Sequence, residues 1–260
     1  MIPLQGREDT ESILFKENIL KTDTTRPSLR RICAVLFDMD GTLLDSEPAY
    51  LESDRVFLSD YGIAYSEEMN AMFTGRGSHA MMGILCTMFP DSPLCALPIE
   101  ESVRLKDEAY TRYAPSRVKP FPATIALARA LVESGIPLAI ASGSSPEIIE
   151  LMIQAHDLKK LFSVRVSSVE VAHGKPAPDV FLEAARRLAV RPESCLVLED
   201  SYFGVAAAKA AGMACVALPA PGSEIEEGFR IADLVVKGGA AALDAAAILS
   251  AFLWDAEPSS

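Results

Sequence analysis

Four acidic side chains crowd one short stretch of the chain, directly behind an apolar run. The stretch reads LFDMDGTLLDSE over residues 36–47, and its acids are Asp38, Asp40, Asp45 and Glu47. Neighbouring ionised carboxylates repel one another, most strongly where water is excluded. The spacing therefore predicts that a positive group collects among these side chains.

More polar residues stand where other predicted strands end. Ser142 follows the second predicted strand, Lys175 lies in the loop after the third, and Glu199 and Asp200 close the fourth. Open α/β sheets bind ligands at the edge where the carboxyl ends of their parallel strands meet. We therefore expect three carboxylates, including Asp38, to gather at this edge, where Mg²⁺ would relieve their repulsion because it prefers oxygen ligands.

This combination of groups suits the transfer of a phosphoryl group. The charge of that transition state spreads over several oxygens, so catalysis consists mainly of positioning and neutralisation. Asp38, at the tip of a strand, is placed to attack phosphorus. Asp40, beyond a turn shaped by Gly41, is placed to protonate the leaving oxygen and later to activate water.

Short apolar runs rich in β-branched residues predict the strands that position these groups. The runs cover residues 32–37, 136–141, 162–168, 195–199 and 214–219. Helical patterns separate the last four runs, over residues 144–157, 178–190 and 202–213. Strongly apolar strands that alternate with helices are typical of a parallel sheet covered on both faces, so we predict an α/β fold with a Rossmann-like core.

A long insert separates the first two predicted strands. Its patterns indicate helices over residues 47–60, 66–73, 77–89 and 99–113. We predict a small helical cap domain at 48–118, over the carboxyl ends of the strands, and a core made of 31–47 and 119–260. Residues 1–30 are predicted to form a mobile or loosely packed arm.

Four motifs carry a resemblance to a known family. They read DMDGTLLDSE, IASGSSP, GKPAPDVF and LVLEDSYFGVAAAKAAGM. In type, order and spacing they resemble the motifs of the haloacid dehalogenase-like superfamily of hydrolases, over residues 32–220. The insert resembles the small helical cap of the branch that contains phosphoglycolate phosphatases, sugar-phosphate phosphatases, pseudouridine-5'-phosphatases and β-phosphoglucomutases.

The resemblance implies roles for the residues of the first three motifs. Asp38 is implied to be a nucleophile that forms an aspartyl-phosphate, and Asp40 the general acid and base. Ser142 and the backbone amide of Gly143 are implied to hold phosphoryl oxygens. Lys175 is implied to offset the charge of the nucleophile and the phosphate.

The resemblance also implies a Mg²⁺ site. Its ligands are the side chains of Asp38 and Asp200 and the carbonyl oxygen of Asp40, and Glu199 supports the ion directly or through its ligands. Dehalogenation is disfavoured, because the dehalogenases of this superfamily lack an acid at the position of Asp40 and hold no metal.

The cap offers further candidates for substrate binding. Arg76 and His79 stand at a predicted helix start, and Lys106 occupies a position that resembles a substrate lysine of the mutases. For each of them the alternative is a solvated surface role. Asp45 and Glu47 are expected to begin the first cap helix, with substrate contact near the hinge as the alternative.

We therefore expect a Mg²⁺-dependent phosphatase acting on a small phosphorylated metabolite, a sugar or polyol phosphate. The first alternative is a phosphomutase. Tyr50 argues against it, because β-phosphoglucomutases carry a histidine there, and so does Ser78, near the position of their cap arginine. The second alternative is a catalytically silent binding protein on the same fold.

Composition limits the partners and the compartment. The formal net charge of −12 argues against general binding to nucleic acid or to an anionic membrane. The five cysteines show no metal or disulfide spacing, so we predict reduced thiols in the core and a cytoplasmic location. We expect a monomer or a weak dimer.

Overall fold

A mostly parallel sheet forms the centre of the part of the chain that the computed structural model describes, residues 19–21, 30–73, 76–220 and 227–256. The strands are β1 (Ile19–Lys21), β2 (Arg31–Ile32), β3 (Ala34–Phe37), β4 (Leu44–Asp45), β5 (Lys119–Pro120), β6 (Leu138–Ser142), β7 (Val164–Ser167), β8 (Cys195–Glu199), β9 (Ala214–Ala217), β10 (Leu234–Val236) and β11 (Leu253–Trp254). The central sheet has the order β1-β10-β9-β8-β3-β6-β7, and β1 is its antiparallel member. Two small pairs, β2 with β11 and β4 with β5, stand beside it.

The central strand β3 is apolar on both faces. Val35 and Phe37 contribute to the hydrophobic core on one face of the sheet, and Ala34 and Leu36 to the core on the other. Burying each of the larger side chains contributes about 1.5–3 kcal/mol to stability. Such a strand is stable only between two layers of helices, and the structure confirms the predicted α/β fold.

Helices cover the sheet and form the insert. They are α1 (Glu47–Ser59), α2 (Glu67–Phe73), α3 (Ser78–Met88), α4 (Ile99–Arg117), α5 (Pro122–Glu133), α6 (Pro146–Ala155), α7 (Asp179–Leu188), α8 (Tyr202–Ala210) and α9 (Ala245–Ala251). Proline stands in the first turn of α1, α5 and α6, where its missing N–H and fixed φ are tolerated. Among the described residues, no helix combines the length and the apolar character needed to cross a bilayer.

The edge of the sheet differs from the expectation for residues 1–30. β1 comes from this segment and pairs antiparallel with β10, with Leu20 opposite Val235. Residues 19–21 are therefore part of the sheet and not of a loose arm. The remainder of the predicted arm, up to residue 29, lies outside the described residues.

Helices α1 to α4 form the insert between β4 and β5. They bury an apolar cluster of their own, which includes Phe57, Leu58, Met82 and Leu85. α1 packs along α4, and α4 also contacts α6 of the core. The insert thus has its own core and rests against the carboxyl-end edge of the sheet.

A disulfide in the insert corrects the prediction for two cysteines. Cys86 in α3 is bonded to Cys95 in the following 3₁₀ helix, with 5.2 Å between their Cα atoms. The prediction of reduced thiols is wrong for this pair, because the turn after α3 brings together two positions whose spacing fits no known motif. Cys33, Cys195 and Cys215 are free and buried, as predicted.

The chain passes between core and insert twice, and the two crossings pair with each other. β4 runs antiparallel to β5, with Leu44 opposite Pro120 and Asp45 opposite Lys119. We call this pair the hinge ladder. It lies a few residues from the acidic stretch, so the same segment carries the acids and begins the insert.

Candidate active site

Asp38 stands at the carboxyl end of β3, in the middle of the sheet edge. Its N–H donates to the carbonyl of Leu198 in β8 over 3.0 Å and extends the ladder by one residue. The chain then turns sharply, because the amides of Leu43 and Leu44 both donate to the carbonyl of Met39 at 2.9 Å. Asp38 is buried after this turn, and 5% of the residue is exposed.

Gly41 lets the turn pass close to the fourth motif. Its φ of +78° lies in the left-handed region, where a Cβ atom is unfavourable. A Cβ atom on Gly41 would also overlap the carboxylate of Asp200. Glycine is therefore required here both for the turn and for the room that Asp200 occupies.

Three carboxylates meet at this edge. Oxygen atoms of Asp38, Glu199 and Asp200 all lie within 4.8 Å of one another. The ammonium of Lys175 donates to Oδ1 of Asp38 at 2.5 Å and to Oε1 of Glu199 at 2.7 Å. One buried cation thus faces three acids, as the strand-end positions predict.

The protonation behaviour of the cluster reflects its surplus of negative charge. Burial raises the pKa of Asp38, with Lys175 opposing and Glu199 adding to the rise. Burial also raises the pKa of Asp200, together with the charges of Glu199 and Asp38. Burial disfavours the charge on Lys175, yet its two acidic partners outweigh this and raise its pKa. A hard divalent cation bound by these oxygens would relieve the surplus, so the donor set fits such an ion.

The start of α8 fixes the orientation of Glu199. Its Oε2 accepts hydrogen bonds from the amide of Ser201 at 2.6 Å and from the Ser201 hydroxyl at 3.0 Å. That hydroxyl accepts in turn from the amide of Gly204 and caps the helix. A Cβ atom on Gly204 would overlap Glu199, so the close approach requires glycine there as well.

Asp40 lies outside the cluster of three carboxylates, and serine hydroxyl groups contact its side chain. Ser46 donates to its Oδ1 at 2.7 Å, and Ser144 donates to its Oδ2 at 2.7 Å. Ser142 makes a longer contact of 3.5 Å with Oδ2, and its hydroxyl also accepts from the amide of Ser144 at 3.0 Å. Burial raises the pKa of Asp40, and the hydroxyls of Ser46 and Ser144 counter this in part. Asp38 and Asp40 therefore have different surroundings.

A cavity of about 160 Å³ lies between the sheet edge and the insert. From the core it is lined by Asp38, Asp40, Gly143, Lys175 and Asp200 among others. Ser142 is completely buried and lies behind this lining, whereas Ser144 is part of it. The hydroxyl of the second motif that faces the cavity is thus two residues beyond the predicted one.

The cap candidates divide into two groups. Lys106, Arg76 and Glu47 line the cavity. Arg76 is exposed at the rim. Its guanidinium carbon lies 4.8 Å from the ring centroid of Phe203, which belongs to α8 and not to the insert. His79 is exposed and outside the described lining, and Asp45 is exposed in the hinge ladder.

Other cavity residues escaped the sequence reasoning. Asp54 pairs with Lys106 over 3.3 Å, and both side chains are 4% exposed. Asp107 and Asn70 complete the polar wall of the insert. The sequence carries one signal for Asp107, its place beside Lys106, whereas Asn70 and Asp54 depend on how the helices pack.

Comparisons with known proteins agree with this arrangement. A family model described as haloacid dehalogenase-like hydrolase matches residues 32–212. The chain is 38% identical over 204 residues to a bifunctional riboflavin kinase/FMN phosphatase of Arabidopsis thaliana, a match that covers 74% of this chain and 50% of that protein. It is 34% identical over 186 residues to the fructose-1-phosphate phosphatase YqaB of Escherichia coli (strain K12), covering 72% and 96%. The chain thus spans about half the length of the first relative.

A solved structure shows that the similarity extends to the fold. CbbY from Rhodobacter sphaeroides, in complex with phosphate, is similar with a TM-score of 0.70 and 30% identity. The match covers 81% of this chain and 95% of that one. The resemblance predicted from the four motifs is therefore confirmed by sequence and by structure.

Proposed function

The chain belongs to the haloacid dehalogenase-like hydrolases, and on that basis we propose that it is a Mg²⁺-dependent phosphatase of a small sugar or polyol phosphate. One observation carries the proposal. Asp38 lies against Lys175 and the acidic cluster, while Asp40 is held separately by hydroxyl groups. This is the division of labour that a nucleophile and a general acid require.

The reaction proceeds in two displacements. In the first, a carboxylate oxygen of Asp38 attacks phosphorus while the bond to the leaving oxygen breaks, and Asp40 gives that oxygen a proton. Lys175, at 2.5 Å from Asp38, offsets charge at the reacting centre. In the second, Asp40 takes a proton from water, whose oxygen attacks phosphorus. The bond to Asp38 then breaks, and inorganic phosphate leaves.

The acidic cluster is the proposed Mg²⁺ site. The groups that would hold the ion are the carboxylates of Asp38, Asp200 and Glu199 and the carbonyl oxygen of Asp40. When bound, the ion neutralises charge on the phosphoryl oxygens. The backbone amide of Gly143, at the same end of the cavity, is proposed to donate to those oxygens.

Gly41→Ala tests the link between the turn and this site. We expect a loss of stability of roughly 1–2 kcal/mol from the left-handed backbone, and a raised Mg²⁺ requirement because the methyl group displaces Asp200. Gly212→Ala is the matched control, since Gly212 has a φ of +75° and open space around it. Urea unfolding and a Mg²⁺ titration of activity separate the two effects. Equal Mg²⁺ requirements in the two variants would contradict the prediction.

The wall of the insert favours a neutral leaving group rich in hydroxyls. Lys106 is already neutralised by Asp54. Glu47, Asp107 and Asn70 then offer hydrogen-bond partners for hydroxyl groups, and the two carboxylates repel a second phosphate or a carboxylate on the substrate. The named activity of the Escherichia coli relative, on fructose 1-phosphate, is consistent with such a substrate.

Tyr50 favours hydrolysis over the phosphomutase alternative. Burial raises its pKa well above the ordinary value for a phenol, and the charge of Asp40 adds to the rise. Such a group exchanges protons poorly at neutral pH, unlike the histidine that the mutases carry at this position.

A panel of phosphate monoesters with Mg²⁺ tests the function. We expect phosphate release from sugar and polyol monophosphates, with lower kcat/KM for phosphoglycolate and for sugar bisphosphates. The Asp38→Asn variant serves as the blank. Formation of glucose 6-phosphate from β-glucose 1-phosphate, without release of phosphate, would favour the mutase instead.

Glu47→Gln tests the origin of this preference. Removing one like charge from the wall should raise the kcat/KM for acidic esters, relative to neutral ones, by roughly fivefold, for an interaction of about 1 kcal/mol. Glu52→Gln, an exposed change on the same helix, is the control. The prediction fails if the two variants show the same ratio.

The oligomeric state and the cellular compartment of the chain are also proposals. Three buried free thiols are compatible with a reducing compartment, whereas the Cys86–Cys95 bond does not support one. We retain a cytoplasmic monomer or weak dimer as the prediction. Imaging of a tagged chain and light scattering of the purified protein test it.

A further inference from the structure

The first turn of α1 reaches Asp40 from two sides. Ser46, the N-cap residue, donates directly to Oδ1. Tyr50, one helical turn further along, lies with its hydroxyl 2.9 Å from the hydroxyl of Ser144, which donates to Oδ2. Both carboxylate oxygens of Asp40 are thus connected to the helix that begins the insert.

The direction of the second connection follows from the number of protons. A serine hydroxyl has one proton to donate, and that of Ser144 goes to Asp40. Tyr50 must therefore donate its proton to Ser144. The result is a chain of hydrogen bonds from Tyr50 through Ser144 to Asp40, in which each bond polarises the next.

Contacts within the insert fix the ring of Tyr50. It stacks on Tyr110, with ring centroids 3.8 Å apart and 6° between the planes. The ammonium of Lys106 lies 4.8 Å from the centroid of the Tyr50 ring, and Asp54 holds that ammonium in place. All four residues belong to α1 and α4, so contacts within the insert hold the ring that carries the Tyr50 hydroxyl.

The hydrogen bond between Tyr50 and Ser144 crosses the boundary between insert and core. Ser144 follows β6 at the sheet edge, whereas Tyr50 moves with α1. A displacement of the insert away from the sheet would separate the two hydroxyls. We therefore expect this bond only while the insert covers the cavity.

We infer that Tyr50 is a positioning residue, which through Ser144 orients Asp40 for proton transfer to the leaving oxygen when the insert closes. The inference rests on the proposed function. Tyr50 does not itself exchange a proton with the substrate; it holds Ser144, and Ser144 holds the carboxyl group. The general acid is therefore fully oriented only in the closed state.

Tyr50→Phe tests this, because the change removes the hydroxyl and keeps the ring with its stacking and cation contacts. Protonation matters for an alkyl leaving group and matters little for p-nitrophenolate, a stable anion. We expect kcat/KM for a sugar phosphate to fall roughly 10-fold to 100-fold, part of the full effect of a general acid. For p-nitrophenyl phosphate we expect a fall of less than about threefold, since little of that acid catalysis is needed.

Two further variants complete the experiment. Ser144→Ala should show the same dependence on the leaving group, and the double variant should be no worse than Ser144→Ala alone, because both changes break one chain. Tyr61→Phe, another tyrosine of the insert but outside the described cavity lining, should leave both esters unaffected. Unfolding midpoints in urea show whether each variant folds.

Three results would overturn the inference: equal losses on both esters, a change confined to KM, or full additivity in the double variant. Equal losses would indicate a structural role, and a change in KM alone would indicate direct contact with substrate. The proposed function is judged separately. If the unaltered protein releases phosphate and Asp38→Asn does not, the phosphatase assignment holds whichever way Tyr50→Phe behaves.

Discussion

Asp38→Asn lowers phosphate release by roughly 10⁴-fold or more, because a neutral amide is a far weaker nucleophile than a carboxylate of the same shape. The fold should survive the change. Burial and the charge of Glu199 already disfavour the ionised form of Asp38, and Lys175 keeps Glu199 as a partner at 2.7 Å. We therefore expect the free energy of unfolding to stay the same or to rise.

Phosphate release with a sugar monophosphate and urea unfolding measure the two effects. Asp45→Asn is the matched control, since Asp45 belongs to the same acidic stretch but is exposed in the hinge ladder. It should keep normal turnover. If Asp38→Asn retained more than about a tenth of the activity, Asp38 would not be the nucleophile, because loss of a nucleophile lowers activity far more than this.

Asp200→Ala raises the Mg²⁺ concentration needed for half-maximal activity. Loss of a group that merely supports a ligand changes metal affinity roughly 10-fold to 100-fold, so the loss of a ligand should reach at least that range. The change also removes one acid from a crowded, buried cluster, so the metal-free protein should not lose stability for electrostatic reasons.

Two independent titrations check this result. One follows activity against Mg²⁺, and the other follows thermal unfolding, since an ion that binds only the folded state raises the midpoint with concentration. Asp91→Ala, an exposed change in the insert, should match the unaltered protein in both. An unchanged Mg²⁺ dependence in Asp200→Ala would contradict its role as a ligand, and Gly41→Ala should shift in the same direction.

The core of the fold was accessible from sequence because its strands are apolar on both faces. β3, β6, β8 and β9 are completely buried and read as continuous apolar runs. β1 at the edge of the sheet and β10 beside it have three residues each, too few for a pattern to distinguish them from loop. The disulfide escaped for a related reason, since it depends on a turn and not on a repeat.

In the active site too, residues at strand ends could be predicted from sequence, whereas residues placed by helix packing could not. Asp38, Lys175 and Asp200 follow or end strands whose neighbours in the sheet are fixed, so their meeting could be foreseen. Asp54 and Tyr50 reach the cavity only through the packing of α1 against α4 and of the insert against the core. No periodicity in the chain encodes that docking. Sequence also could not predict that Ser144, and not Ser142, lines the cavity, because this depends on the local course of the chain after β6.

The hinge ladder limits how the enzyme can exchange its substrate for product. Two separate linkers would let the insert slide and twist freely, whereas two paired strands bend together about one axis. We expect one swing of the insert to open the cavity and to separate Tyr50 from Ser144. Domain swings in enzymes take microseconds to milliseconds, so we expect the stiffness of this two-rung ladder to contribute to the turnover time of the proposed phosphatase.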